Sequence, residues 1–194
     1  DKNEHYWDKD NITLNSINAE YITSDTRALL NLFNDGRIAY AALDGETYKE
    51  ALNHEYRIRA FTTGSVYFIE YNHRDSRVTA NRNLRRAIQS VFDPYEFVNK
   101  VLGTPGNLPG ESLFPVWVKG VEGKFRQEYP PTQPEINIAK GRQYLTAARS
   151  ELGLPRIPPL VLLIGDSPTS AKQAEYMQGL LKARLDLDVR IDIQ

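Results

Sequence analysis

The chain has 194 residues, 41% hydrophobic and 25% charged, enough to bury a sizeable core as one domain, or as one large domain with part of another. Its 24 Lys and Arg stand against 25 Asp and Glu, a net charge of -1, so no global positive field draws it to nucleic acid or an anionic membrane, and any basic site must be local. It has no cysteine, which excludes disulfides, thiolate metal sites and a cysteine nucleophile; no apolar run reaches the roughly 18 residues of a membrane span, and the opening DKNEHYWDKD is polar throughout.

From Ser24 to Phe33, a capping residue is followed by Ala28, Leu29, Leu32 and Phe33 at helical spacing, and NDG places Gly36 for a left-handed C-cap. YRIRAFTT (56–63) alternates as a half-buried strand does, and VYFIEYN (66–72) is rich in aromatic and β-branched residues. Parted only by Gly64 and Ser65, the two read as one bent strand or a crossing between subdomains. After the polar loop 73–80, Asn81 is placed to cap a helix whose Leu84, Ala87, Ile88, Val91 and Phe92 form one buried stripe. Arg82, Arg85, Arg86 and Gln89 fall on the opposite face, which predicts arginines turned to solvent. Asp93 as N-cap and Pro94 at the first helical position restart the chain, with Phe97, Val98, Val101 and Leu102 as the stripe and Gly103 as the stop.

Frequent Pro and Gly from 103 to 135 predict a long ordered loop with little regular structure, anchored by Phe114, Trp117 and Phe125. A helix follows with Ile138, Leu145, Ala148 and Leu152 inward and Gly153 at its end. PLVLLIG (159–165) has the continuous apolar character of a strand covered on both faces. A helix from about 171 to 185, carrying Ala174, Met177, Leu181 and Leu185, and the alternating strand Leu187, Val189, Ile191 and Ile193 complete a βαβ unit. Such units are nearly always right-handed crossovers between parallel strands, so the class is α/β. The absence of an initiator Met, and an end at Gln194 inside the alternating LDVRIDIQ, lead us to expect a piece of a larger protein.

Signatures of catalysis are missing. GDSPTS lacks the lysine of a phosphate loop, and GESLF has Phe114 where a nucleophile elbow needs its second glycine, so Ser112 is not expected to be a nucleophile. His5, His54 and His73 show no paired metal-ligand spacing and read as surface residues. Asp166, Ser167, Thr169 and Ser170 follow a buried strand and open a helix, where α/β sheets hold ligands; the plainer alternative is that Ser167 or Asp166 caps the helix. For Arg74, Arg77, Arg82, Arg85 and Arg86 a phosphate surface would need arginines and aromatics on one face, and the helical register favours a solvated face instead.

The order NEHYWD, a capped helix ending LFNDGRIA, GSVYFIEYN, NLRRAIQSVFDPYEFVNKV, GNLPGESLFP, AKGRQYLTAARSELG and a closing strand, helix and strand resembles the family 5 extracellular solute-binding proteins. These are the oligopeptide, dipeptide and nickel receptors of ABC importers. The resemblance implies an α/β, periplasmic binding protein-like (type II) lobe, a mixed sheet with flanking helices, truncated here. Residues 1–45 would belong to the first lobe, 46–63 to the connection near the hinge, and 64–194 to most of the second. It implies a peptide or other small solute held in a cleft between lobes, a membrane permease as partner, and no nucleic acid, cofactor, metal or catalysis. A monomer is implied, periplasmic or extracellular and anchored through an N-terminus outside this chain. Ser65, Tyr67 and Phe68, just past the lobe crossing, and Asp166, Ser167 and Ser170 become the expected ligand-binding residues. The alternative is the sensing module of a cytoplasmic transcription regulator built on the same kind of domain. One departure is local: the family's usual Asp-Val-Arg-Val-Arg at the head of the arginine helix is Asn81-Arg82-Asn83-Leu84-Arg85 here.

Overall fold

The computed structural model describes residues 2–19, 21–22, 25–61, 64–132 and 135–194, which fall into two compact units, 1–42 and 43–194. In the first unit, helix α1 (Thr26–Asn34) is capped by the Asp25 carboxylate, which accepts from the backbone N–H of Arg27 at 2.9 Å. The expected cap Ser24 lies outside the described residues. The helix ends as foreseen, with Gly36 at φ +69° and Arg37 N–H returning to the Leu32 carbonyl at 2.9 Å.

The second unit opens with α2 (Thr47–Asn53), in a stretch expected to be a connection. Its signal is the reciprocal cap in DGET. The Asp44 carboxylate accepts from Thr47 N–H at 3.0 Å while the Thr47 hydroxyl accepts from Asp44 N–H at 2.9 Å. Gly45 lies flat against the backbone of Leu102 and Gly103, so a side chain there would overlap the Leu102 carbonyl.

Neither expected strand forms at 56–61 or 66–72. A strand is stable only through a ladder, and among the described residues 64–71 make no backbone hydrogen bond. Its aromatic residues therefore remain outside: Tyr67 is 91% and Phe68 66% exposed. The segment is held at its end, where Tyr71 packs on the core and the Asn72 carbonyl accepts from the Thr79 hydroxyl at 2.7 Å.

Helix α3 (Arg82–Gln89) forms as the periodicity requires, with Leu84, Ala87 and Ile88 buried and the Asn81 side chain accepting from Leu84 N–H. The Asn81 and Asn83 amides also donate to the Glu151 carboxylate, each at 2.8 Å. That explains the neutral residue at 81, since an aspartate there would face Glu151 with like charge. Asp93 caps α4 (Pro94–Glu96), which runs into a π-helical stretch, Phe97–Leu102, closed by Gly103 at φ +61°.

The Pro-rich loop is ordered by few contacts. Phe114 lies against Phe125, in the short helix α5 (Phe125–Glu128), at 4.6 Å between ring centroids, and Glu111 pairs with Arg126. Trp117, expected as an anchor, is 40% exposed. The Glu128 carboxylate accepts from the N–H groups of Val121, Glu122 and Gly123, which holds its carboxyl below the usual range despite some opposing burial.

Helix α6 (Ile138–Leu152) crosses α3 at Gly141, and buries Leu145 and Ala148, whereas Ile138, expected inward, is 39% exposed at the first turn. Strand β1 (Leu160–Ile164), helix α7 (Pro168–Leu185) and strand β2 (Val189–Ile193) form the expected parallel pair, registered Leu160 to Val189 through Ile164 to Ile193. Leu160, Leu162 and Val189 meet the core under α7, beside Met177, Leu181 and Leu185. The other face is open, with Val161 and Leu163 49% and 58% exposed, so β1 is covered on one face and not on both. Arg184, in the last turn of α7, donates to the Val91 carbonyl at 2.6 Å and to Glu96 at 3.0 Å, tying that helix to the corner between α3 and α4.

Candidate functional site

The two groups of residues expected to bind ligand sit on different supports. Ser65, Tyr67 and Phe68 are exposed on the unladdered segment that ends at Tyr71. Burial raises the Tyr71 phenol above its ordinary value, while the nearby Arg85 guanidinium works in the opposite direction. The exposed aromatics are thus only three and four residues from a partly buried, neutral anchor that lies near a charged guanidinium.

Asp166, Ser167 and Ser170 join the end of β1 to the start of α7. The helix begins three residues earlier than the apolar stripe alone indicates, because Ser167 is an N-cap and Pro168 fills the first helical position. The Ser167 hydroxyl accepts from Ser170 N–H at 3.1 Å and donates to the Ser170 hydroxyl at 2.9 Å. Ser167 N–H goes to the Gly165 carbonyl and Ala171 N–H to the Ser167 carbonyl, both at 3.0 Å. Pro168 has no N–H, so within the first helical turn Thr169 alone has an amide without a described partner, as does Asp166 before the cap. The capping reading of Ser167 is therefore met, and the turn is poorly equipped to hold an anion through its amides. Asp166 is exposed and makes no described hydrogen bond or ion pair.

Ser167 and Ser170 are brought together. No described hydrogen bond, ion pair or ring contact joins them or Asp166 to Ser65, Tyr67 or Phe68. Two open cavities lie elsewhere in this unit, one of about 440 Å³ against Glu111, Lys124, Arg126 and Pro130, the other of about 160 Å³ against Arg86, Ser90, Lys140 and Tyr144. None of the expected ligand-binding residues lines either.

The arginines are less uniform than their helical register suggests. Arg82 is exposed, as are Arg74 and Arg77 in the loop. Arg85 is half-buried and donates to the carbonyls of Thr79 at 2.8 Å and Ala80 at 2.7 Å. Arg86 stands 5.6 Å from the centre of the Tyr144 ring, a cation–π distance. The expected solvated face therefore holds for Arg82 and fails for Arg85 and Arg86, whose charges are used within the fold.

Ser112 accepts from Phe114 N–H at 3.1 Å, a local turn contact. His5, His54 and His73 are exposed, and His54 lies nearly parallel to the Tyr56 ring at 5.4 Å. Among the described residues, no three His, Asp or Glu side chains converge as a metal site would require, and no helix is long and apolar enough to cross a membrane.

Comparison with known proteins then bears on the whole chain. The family model described as bacterial extracellular solute-binding proteins, family 5, middle part, matches residues 1–194. The dipeptide-binding protein DppE of Bacillus subtilis is 24% identical over 191 residues, covering 98% of this chain and 34% of DppE. The oligopeptide-binding protein OppA of Bacillus subtilis is 25% identical over 200 residues, 99% of this chain and 35% of that one. Among solved structures, peptide-bound OppA of Listeria monocytogenes superposes with a TM-score of 0.80 at 25% identity, over 98% of this chain and 38% of the other. The chain thus spans about a third of the length of these relatives.

Proposed function

We propose that this chain, which belongs to the family 5 bacterial extracellular solute-binding proteins, forms part of the peptide receptor of an ABC importer and works outside the membrane without covalent chemistry. In this reading, residues 1 to about 45 contribute to the first of two lobes, 64–194 to most of the second, and ligand is trapped as the lobes close. The observation that carries the peptide assignment is the segment 64–71, whose backbone donors and acceptors make no hydrogen bond among the described residues and whose Tyr67 and Phe68 rings stand outside the core. A chain with free backbone groups recognises another chain through main-chain hydrogen bonds, which gives affinity with broad tolerance of side-chain identity. The relatives named for dipeptide and oligopeptide binding point the same way.

Ser65 is assigned to polar contact, and Tyr67 and Phe68 to stacking and apolar contact. Asp166, Ser167 and Ser170 are assigned to polar contacts from the second support, with the Asp166 carboxylate free to meet a ligand ammonium or amide. The protein would act as a monomer and deliver its solute to a membrane permease.

Calorimetry of the full-length protein with di-, tri- and pentapeptides, a nickel chelate and sugars tests this. Peptide heats are expected, and Phe68→Ala should weaken peptide binding about tenfold, the equivalent of roughly 1.4 kcal/mol and near the lower end of what burying such a ring contributes. Tight binding of a sugar or metal chelate with no peptide heat would overturn the substrate assignment.

A further inference from the structure

We infer that Arg85 is a positioning residue for the ligand-facing segment 64–71, acting through the turn at 72–80. This inference rests on the proposed role of Tyr67 and Phe68 in peptide binding. Because none of residues 64–71 makes a described backbone hydrogen bond, the segment takes its position from its C-terminal anchor. That anchor is a short series of contacts. Tyr71 packs on the core, the Asn72 carbonyl accepts from the Thr79 hydroxyl at 2.7 Å, and Asn72 Oδ1 accepts from Arg74 N–H at 3.1 Å.

Arg85 closes the series from the helix side. One terminal nitrogen of its guanidinium donates both of its protons, to the carbonyls of Thr79 and Ala80, and so fixes the turn Val78–Ala80 at the head of α3. The same charge lies near the Tyr71 phenol. The α3 axis is itself fixed by Leu84, Ala87 and Ile88 in the core and by the Asn81 cap. Arg85 thus transmits the position of a helix anchored by its buried stripe to a segment that has no described ladder of its own. A guanidinium suits this task because its planar donors stay charged and aim at fixed carbonyls at any physiological pH. Arg82, on the same helix, is exposed and makes no described contact with the turn, which provides an internal control.

The test uses the full-length protein, with a nitroxide carried on Glu70→Cys to read the mobility of the segment and calorimetry with a pentapeptide to read affinity. Arg85→Met and Thr79→Val break the series at different links, so failure of one variant to fold leaves the other. Both should raise nitroxide mobility while Arg82→Met leaves it unchanged, and both should weaken peptide binding by about tenfold, the middle of the range for groups coupled in one network. Combined with Phe68→Ala, Arg85→Met should add less than its separate factor, which a purely structural role would not produce. Unchanged mobility in both variants, or strictly multiplicative losses with Phe68→Ala, would overturn the inference. If mobility rises while neither Arg85→Met nor Phe68→Ala affects peptide binding, the peptide-contact reading of the segment fails and Arg85 is left as a structural clamp alone.

Discussion

The crossing of α3 and α6 offers a sharp test of the packing. A Cβ added at Gly141 would stand 3.0 Å from Val91 Cγ1, 3.2 Å from the Ala87 carbonyl oxygen and 3.4 Å from Ser90 Cβ. Relaxed contacts between carbon atoms begin at about 3.5 Å, so Val91 is too near, the Ala87 oxygen is also tight, and Ser90 sits at the edge of ordinary contact. The Ala87 oxygen belongs to the helix backbone and Val91 is fully buried, so neither retreats freely. Overpacking of this kind costs about 1–3 kcal/mol, against which replacing a mid-helix glycine with alanine contributes about 1 kcal/mol. Gly141→Ala should therefore destabilise by about 1 kcal/mol, or about 2–4 °C in Tm for a unit of this size. Gly179 is the control: it lies within α7 with nothing inside 4 Å of its added Cβ, so Gly179→Ala should gain up to about 1 kcal/mol. Urea unfolding of both variants in the full-length protein, followed by far-UV circular dichroism, gives the two signs. Stabilisation by Gly141→Ala equal to that of Gly179→Ala would refute the close crossing.

Asn81→Asp should destabilise by about 1 kcal/mol at pH 7, because an equally good cap is retained while a hydrogen bond to the Glu151 carboxylate becomes a like-charge contact. The same substitution in a Glu151→Gln background should be harmless or favourable, through attraction to the helix dipole, and a double-mutant cycle read by Tm checks both signs. Glu128 has its folded-state pKa depressed, chiefly by the Val121 and Gly123 amides, below an ordinary value of 4.5. Its contribution is present above that value and lost as pH falls through the folded-state pKa, so the Tm difference between wild type and Glu128→Gln should be full at pH 7 and shrink below about 4.5. A difference that stays constant down to pH 3 would show that the three amides do not favour the ionised form.

What was legible in the sequence was whatever a segment determines by itself. The stripe Leu84, Ala87, Ile88 and Val91 is buried as expected because helical periodicity is internal to the helix. The caps Asn81 and Asp93 and the left-handed stops Gly36, Gly103 and Gly153 are likewise set within a few residues. The βαβ unit was readable because its two strands are each other's partners. The expected strands do not form at 56–61 or 66–72 for the complementary reason: their alternation and composition are strand-like, but a ladder needs a second chain segment, and none is paired with them among the described residues. Arg85 departs from its register on similar grounds, since helical spacing gives the direction away from the stripe but not the carbonyls of Thr79 and Ala80 that fold back over that direction. The start of α7 is legible in the pairing of Ser167, already a candidate cap, with Pro168, whereas the apolar stripe by itself begins only at about 171.

The unformed strand at 66–72 and the inward-turned Arg85 meet at one place. Core logic would bury Tyr67 and Phe68, and the fold instead secures Tyr71 and Asn72 behind them and leaves the rings outside. An apolar segment excluded from the core gains nothing from the hydrophobic effect until something covers it. On the inference drawn above, its position comes through Arg85 and the turn it grips, from a helix whose apolar stripe is buried. If the segment contacts ligand as proposed, a core lends it rigidity without consuming it: the helix provides the order, and the backbone and rings that make no described contact are left for the ligand.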